Sequence, residues 1–144
     1  IASCLVGSEM CIRDRAMADP SLALQEAIFA RLQAEVSCPI YDGAPLNADM
    51  PYVSIDREVS VNSSPISGRK RETRLLYLSV WSDAVGQAEV KRINGEIIAA
   101  LDERRLPLEV GRAVSVRVEQ SDAQRDADGI TYQGSITVRV ITTH

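Results

Sequence analysis

The chain has 144 residues, of which 45% are hydrophobic and 25% are charged, and its formal net charge is −4. The length suits one hydrophobic core and the composition is ordinary, so these values predict a soluble single domain. The negative charge gives no support for a non-specific nucleic-acid binder, and no apolar run approaches the roughly 20 residues of a membrane-spanning helix.

The first 16 residues follow neither a helical nor a strand period. The run from Ser3 to Arg15 resembles a translated sequencing adapter, and its arginines follow the apolar segment, whereas a secretory signal places basic residues first. We therefore expect residues 1–16 to be a non-native or disordered extension, with the natural protein beginning at Met17. Residues 17–144 are then expected to form the single α+β domain.

Cysteine use gives no sign of catalysis. Cys4 and Cys11 fall in the doubtful extension, which leaves Cys38 without an intrachain disulfide partner. A nucleophilic cysteine would need a histidine partner, and the single histidine is the last residue, His144. Cys38 is therefore predicted to be a small, semi-buried side chain at the end of a helix.

The first predicted helix begins at Asp19-Pro20, because aspartate caps free amide groups and proline is tolerated at the first helical position. Pro39 ends it, and Ile40-Tyr41 is predicted to form a very short strand. The apolar stripe of this helix recurs every four residues and comprises Leu24, Ile28, Leu32 and Val36.

Two strands are predicted next, separated by a loop. The first begins at Pro51, the loop covers Val59–Lys70, and the second begins at Arg71. The second strand has apolar residues on both faces, which predicts a central strand or one whose second face is buried by another subunit. One face carries Leu76, Leu78 and Val80, and the other carries Leu75, Tyr77 and Trp81.

A second helix is predicted over roughly Gly86–Arg104, despite the turn-forming pair Asn94-Gly95. A glycine inside a helix costs about 1 kcal/mol, which the helical period can outweigh. Arg92 and Glu96 are four residues apart and are expected to form an ion pair. The core stripe of this helix comprises Val90, Ile93, Ile97 and Leu101.

The last third predicts a hairpin whose polar connection covers Ser121–Gly129. The complete order predicts an α+β fold: one largely antiparallel sheet of about five strands, with two helices packed on one face. Apolar side chains alternate with polar ones in both strands, at Val114, Val116 and Val118 and at Ile130, Tyr132, Ile136, Val138 and Val140. The polar row that would face solvent or a partner comprises Arg117, Glu119, Gln133, Thr137 and Arg139.

No catalytic, cofactor-binding or metal-binding residues are predicted. Asp126–Gly129 superficially matches part of a calcium loop, but Ser135 stands where a bidentate glutamate is required. The basic cluster of Arg69, Lys70 and Arg71, with Arg74 beyond it, has two interpretations: contact with nucleic acid, or an exposed hairpin tip that contacts an acidic neighbour. The second is preferred.

From about Leu22 to Ile141 the chain resembles the phage tail completion family, which is related to the tail terminators of long-tailed bacteriophages and gene transfer agents. No single segment is diagnostic, but the order and spacing of five segments carry the resemblance. They are Ile40-Tyr41-Asp42 with Pro45, Pro51-Tyr52-Val53-Ser54-Ile55, Leu78-Ser79-Val80-Trp81-Ser82, Ala88-Glu89-Val90-Lys91-Arg92-Ile93 and Arg125-Asp126-Ala127-Asp128-Gly129.

This resemblance implies a structural virion protein without catalytic residues. Such proteins form a ring, commonly a hexamer, that caps the tail tube, ends its polymerisation and supports head–tail joining. The implied partners are other copies of the chain, the tail tube protein and a head–tail connector protein, with no membrane and no specific nucleic acid. The implied location is the virion tail, assembled in the cytoplasm of the bacterial host.

A ring needs head-to-tail contacts, and the residues offer candidates for them. The predicted subunit interface comprises Arg69, Lys70, Arg71, Tyr77 and Trp81. The alternative function is a small dimeric α+β binding module of cellular origin, which would show a stable dimer and a ligand pocket. An enzyme is disfavoured because the chain lacks constellations of histidine, cysteine and carboxylate residues.

Overall fold

Two helices and five strands follow one another in the computed structural model, which describes residues 19–43 and 47–144. The expectation for residues 1–16, and Pro45 of the family resemblance, fall outside this described part. The elements, in chain order, are α1 (Ser21–Glu35), β1 (Ile40–Tyr41), β2 (Tyr52–Asn62), β3 (Arg71–Ser82), α2 (Ala88–Leu101), β4 (Arg112–Arg125) and β5 (Tyr132–Thr143).

The five strands form one sheet in the order β1-β2-β3-β5-β4. Only the short β1 pairs in parallel, with β2, and every other neighbouring pair is antiparallel. The predicted α+β fold with a largely antiparallel sheet is therefore confirmed, and β3 occupies the central position that its apolar residues predicted.

Both helices pack on the same face of the sheet. Their predicted apolar stripes, apart from Val90, join the even-numbered apolar side chains of β3 in one hydrophobic cluster, because residues alternate between the two faces of a strand. Within the described residues, no helix lies on the opposite face, which we call the open face. The core includes Leu24, Ile28, Leu32, Leu76, Leu78, Val80, Ile93, Ile97 and Leu101.

The first hairpin is longer than the sequence predicted. Residues Val59–Asn62, expected in the loop, continue β2 and pair with β3 from Val59↔Leu75 to Asn62↔Glu72. Val59 and Val61 are β-branched and suit a strand, but the polar residues around them concealed this extension in the sequence. The loop therefore shortens to residues 63–70.

The second hairpin differs in the same way, because β4 continues to Arg125 and only residues 126–131 form the connection. Asp128 closes this turn: the backbone N–H groups of Ile130 and Thr131 each donate to Asp128 Oδ1 at 2.8 Å. Ile130, expected in the strand, lies in the turn and is exposed. The second helix is also shorter than predicted, since it covers Ala88–Leu101 rather than Gly86–Arg104. The predicted Arg92–Glu96 ion pair is present, with Nη1 and Oε2 3.0 Å apart.

Candidate assembly site

The basic cluster lies at the end of the β2–β3 hairpin, in a segment that we call the basic tip (residues 63–71). Backbone contacts fix its base: the Ser63 N–H donates to the Arg71 carbonyl at 2.9 Å, and the Arg71 N–H donates to Ser64 Oγ at 2.9 Å. Lys70 also pairs with His144, through reciprocal backbone hydrogen bonds of 3.1 and 3.0 Å. The basic tip therefore has a base that is held by hydrogen bonds and an end that is exposed to solvent.

The basic side chains of the tip are exposed to solvent. Arg69, Lys70 and Arg71 are all exposed, and none forms an ion pair with a described residue. Ile66 is fully exposed at the same end. These solvated cations and the aliphatic side chain beside them are accessible to another molecule, and the cations can pair with a surface of opposite charge.

Arg74 does not belong to this exposed cluster, contrary to the sequence-based grouping. It lies on the even-numbered face of β3, and its side chain is only 1% exposed. Its guanidinium forms ion pairs with Asp19, Glu72 and, at 2.7 Å, with Glu58, while Nε donates to Thr142 Oγ1 at 3.0 Å. The grouping was wrong because Arg74 follows the alternation of the strand and not its neighbours in the sequence.

The carboxylates around Arg74 keep it charged. Burial by itself would lower the pKa of Arg74, but the hydrogen bonds and negative charges of Glu58 and Asp19 outweigh burial and raise it. The cluster joins the start of α1 to three strands at the base of the basic tip. Buried charges are retained only when they are paired and hydrogen-bonded, and the Arg74 cluster meets both conditions. Because the cluster joins several elements at the base of the basic tip, we interpret it as a structural support for that tip.

The open face carries the predicted aromatic row. Tyr77 and Trp81 are half-buried, and the Arg57 guanidinium carbon lies 4.4 Å from the centre of the Tyr77 ring. Trp81 lies between Tyr52 on β2 and Gln133 on β5 in the strand register. Part of each ring thus remains available to a neighbouring molecule.

The predicted polar row lies on the adjoining strands of the same face. Arg117 and Arg139 are directly opposite each other on β4 and β5, so two like charges are neighbours there. Glu119 compensates part of this charge, with its Oε1 3.7 Å from Arg139 Nη1. All five residues of the row are exposed or half-buried.

The two predicted interface groups are separate surfaces. Arg71 and Trp81 lie ten residues apart on β3, and a strand rises about 3.3 Å per residue, so about 33 Å separates them. The sequence located both groups from charge and alternation. It missed the Arg74 cluster, whose signals were the strand parity of Arg74 and the oppositely charged Glu72 two residues before it on the same face.

The described residues show little that suggests chemistry. Cys38 is buried, and burial followed by the charge of Glu96 raises its pKa to about 11. A thiol with that pKa stays protonated at neutral pH and is a poor nucleophile. No three His, Cys, Asp or Glu side chains in this part of the chain are placed to hold a metal ion, and none of its helices could cross a membrane.

Comparison with known proteins gives a family. The model of the family described as "Tail completion protein gp17" matches residues 12–143. A chain in the structure of the virion of a native gene transfer agent (GTA) particle is 25% identical, with a TM-score of 0.77. That match covers 86% of this chain and 97% of the other. No curated protein matches. The match over nearly the whole chain confirms the resemblance found in the sequence: the chain belongs to the tail completion protein gp17 family and is a structural protein of a phage tail.

Proposed function

We propose that this protein assembles into a ring that caps the tail tube, ends its polymerisation and supports joining to the head. Family membership over residues 12–143 is the observation that carries the proposal. The partners are other copies of the chain, the tail tube protein and a head–tail connector protein. The likeness to a chain of a GTA virion supports a place within a larger particle.

Two separate surfaces suit a ring. A closed ring forms when one patch of each subunit binds a different patch on the next subunit. The basic tip and the open face around Tyr77 and Trp81 are two unlike patches that remain accessible in the isolated subunit, and each can contribute to a different one of the two surfaces that a ring subunit needs. We propose that Arg69, Lys70, Arg71, Tyr77 and Trp81 contribute to subunit contacts.

Growing tail tubes provide the direct test of capping. Purified protein added to polymerising tube protein should stop elongation, and electron micrographs should show a ring at one end of each tube. Native mass spectrometry should give one defined mass that equals a whole number of subunits, with three or more subunits in each ring. Tubes that keep growing with no added density at their ends would contradict the capping function, and a stable dimer would favour the cellular binding module.

Charge reversal tests the basic tip. We expect Arg69→Glu/Lys70→Glu/Arg71→Glu to weaken the oligomer by at least tenfold in dissociation constant, because the contact gains like-charge repulsion. The monomer should keep its circular dichroism spectrum, since these side chains have no ion-pair partner among the described residues. Analytical ultracentrifugation measures the effect.

The matched control reverses three exposed basic residues on and after α2, as Lys91→Glu/Arg104→Glu/Arg105→Glu, and gives the same change in net charge. This control should sediment like the wild type. An unchanged sedimentation profile of the tip variant would remove the basic tip from the subunit interface.

Trp81 reports on the open face because it is the only tryptophan. Trp81 is half-buried in the isolated subunit. A neighbouring subunit that covers the open face should remove water from the Trp81 indole and shift its fluorescence emission to shorter wavelength. Fluorescence spectra recorded across the concentration range of assembly measure this shift, with the tip-reversed variant as the unassembled reference. Identical spectra for the ring and the monomer would exclude Trp81 from the interface.

A further inference from the structure

The end of the sheet opposite the basic tip is acidic. The strand register aligns Ser82, Tyr132 and Arg125 in one row across β3, β5 and β4. The loop after Ser82 and the turn after Arg125 therefore leave the sheet side by side. We call this surface the acidic end; it comprises residues 83–87 and 126–131, with Asp83, Asp126 and Asp128 as its charged residues.

The acidic end also exposes apolar side chains. Val85 is fully exposed and Ile130 is 70% exposed, although both are large aliphatic residues. Ile66 is the matching exposed residue of the basic tip. Each end thus combines charges of one sign with a strongly exposed aliphatic side chain, and the two ends carry charges of opposite sign.

The charges of the acidic end are not neutralised within the described subunit. Asp83 and Asp126 form no ion pair with a described residue. The hydrogen bonds from Thr131, followed by that from the Ile130 backbone, hold the pKa of Asp128 below its usual range, so this carboxylate stays ionised. Arg125, the basic residue beside the turn, donates from Nε to the Gly129 carbonyl at 3.1 Å.

The two ends cannot meet within one subunit. Arg71 and Ser82 are the first and last residues of β3, and eleven steps of about 3.3 Å separate them by about 36 Å. We propose that the basic tip of one copy binds the acidic end of a second copy, with Ile66 packing against Val85 and Ile130. This contact rests on the proposed ring and identifies the surface that receives the tip.

A second copy fits these surfaces better than another occupant. Opposite charges at the two ends of one long axis make each subunit complementary to the next, which is the geometry of a head-to-tail contact. Nucleic acid would use the basic tip alone and would be repelled by the acidic end. Binding of the tip to nucleic acid, with no effect of the acidic end on assembly, is an outcome that would overturn the proposal.

Two complementary variants provide the test. Arg69→Glu/Lys70→Glu makes the tip acidic, and Asp83→Lys/Asp126→Lys makes the opposite end basic. Asp128 is left unchanged because it closes the turn. Each variant alone should lose assembly, since both surfaces that meet would carry the same sign.

An equimolar mixture of the two variants should assemble again, because every contact then joins opposite charges. The restored ring must alternate the two variants, so it closes only with an even number of subunits. Native mass spectrometry of the mixture, with one variant labelled by a heavy isotope, reads both the restoration and the one-to-one composition. The control Glu26→Lys/Glu109→Lys, which reverses two exposed acidic residues elsewhere, should assemble like the wild type.

The outcomes separate this contact from the proposed function. A wild-type chain that remains monomeric at all concentrations would contradict both. Two outcomes would overturn the tip-to-end contact without contradicting the proposed ring. In the first, the acidic-end variant still assembles like the wild type. In the second, each variant alone fails to assemble and their mixture also stays monomeric. Assembly of the mixture, when neither variant assembles by itself, supports the contact. Assembly of the mixture should weaken as the salt concentration rises, because salt screens the charges.

Discussion

Replacing Arg74 with methionine is expected to lower the free energy of unfolding by about 3–5 kcal/mol, because removing one partner of a buried ion pair leaves uncompensated charge in the interior. Arg74 neutralises Asp19, Glu58 and Glu72 while only 1% of its side chain is exposed. Methionine preserves most of the volume of the side chain, so the loss measures charge and hydrogen bonding more than packing. Urea unfolding at pH 7, followed by circular dichroism, gives the difference.

Arg117→Met is the matched control. Arg117 is 66% exposed, and its Nη2 lies 3.9 Å from Glu103 Oε1, so solvent screens this pair. Its removal should change the free energy of unfolding by less than about 0.5 kcal/mol. All proteins are compared at one concentration, because assembly adds to the apparent stability. If both variants unfold at the same urea concentration, the Arg74 cluster contributes no more than a surface pair and our account of it fails.

The Arg74 cluster also shows what the sequence could and could not predict. Residues 69–71 and Arg74 look like one basic patch along the chain, and the first three do form an exposed tip. Arg74 departs from them because strand parity turns it towards the helices. Glu72 is two residues away on the same strand face, but Asp19 comes from the segment before α1 and Glu58 from β2, and no local pattern connects these two to Arg74.

Element types were predicted well because their hydrophobic periods are strong. The apolar stripe of α2 predicted one helix, and the alternating apolar residues of β3 predicted the central strand. Strand ends were predicted less well, since Val59–Asn62 and Ser121–Arg125 carry polar residues that locally favour a loop. Pairing with a neighbouring strand satisfies their backbone groups, and this gain depends on tertiary structure.

The proposed assembly surfaces divide in the same way. Consecutive charges and alternation within one strand predicted the basic tip and the aromatic row. The acidic end could not be predicted, because Asp83 and Asp126 belong to different loops and only the strand register brings these loops together. The sequence thus suggested one half of the proposed contact, and the fold supplied the other.

Gly134→Ala is expected to lower the free energy of unfolding by about 1–3 kcal/mol, because it places a methyl group where helix and sheet already touch. A Cβ atom at Gly134 would lie 2.6 Å from Val90 Cγ1 and 2.7 Å from Asn94 Oδ1. Asn94 cannot easily move aside, since its Nδ2 donates to the Asp122 carbonyl at 2.9 Å. Val90 is fully buried and β-branched, so relief requires α2 to shift.

Gly95→Ala provides a control from the same helix with the opposite sign. A Cβ atom at Gly95 would meet nothing within 4 Å, and the residue is exposed in the interior of α2. Alanine should therefore raise the free energy of unfolding by about 0.5–1 kcal/mol through its higher helix propensity. Thermal and urea unfolding of both variants measure the two shifts. If Gly134→Ala is as stable as the wild type, the contact of α2 with β5 at Gly134 is looser than these distances require.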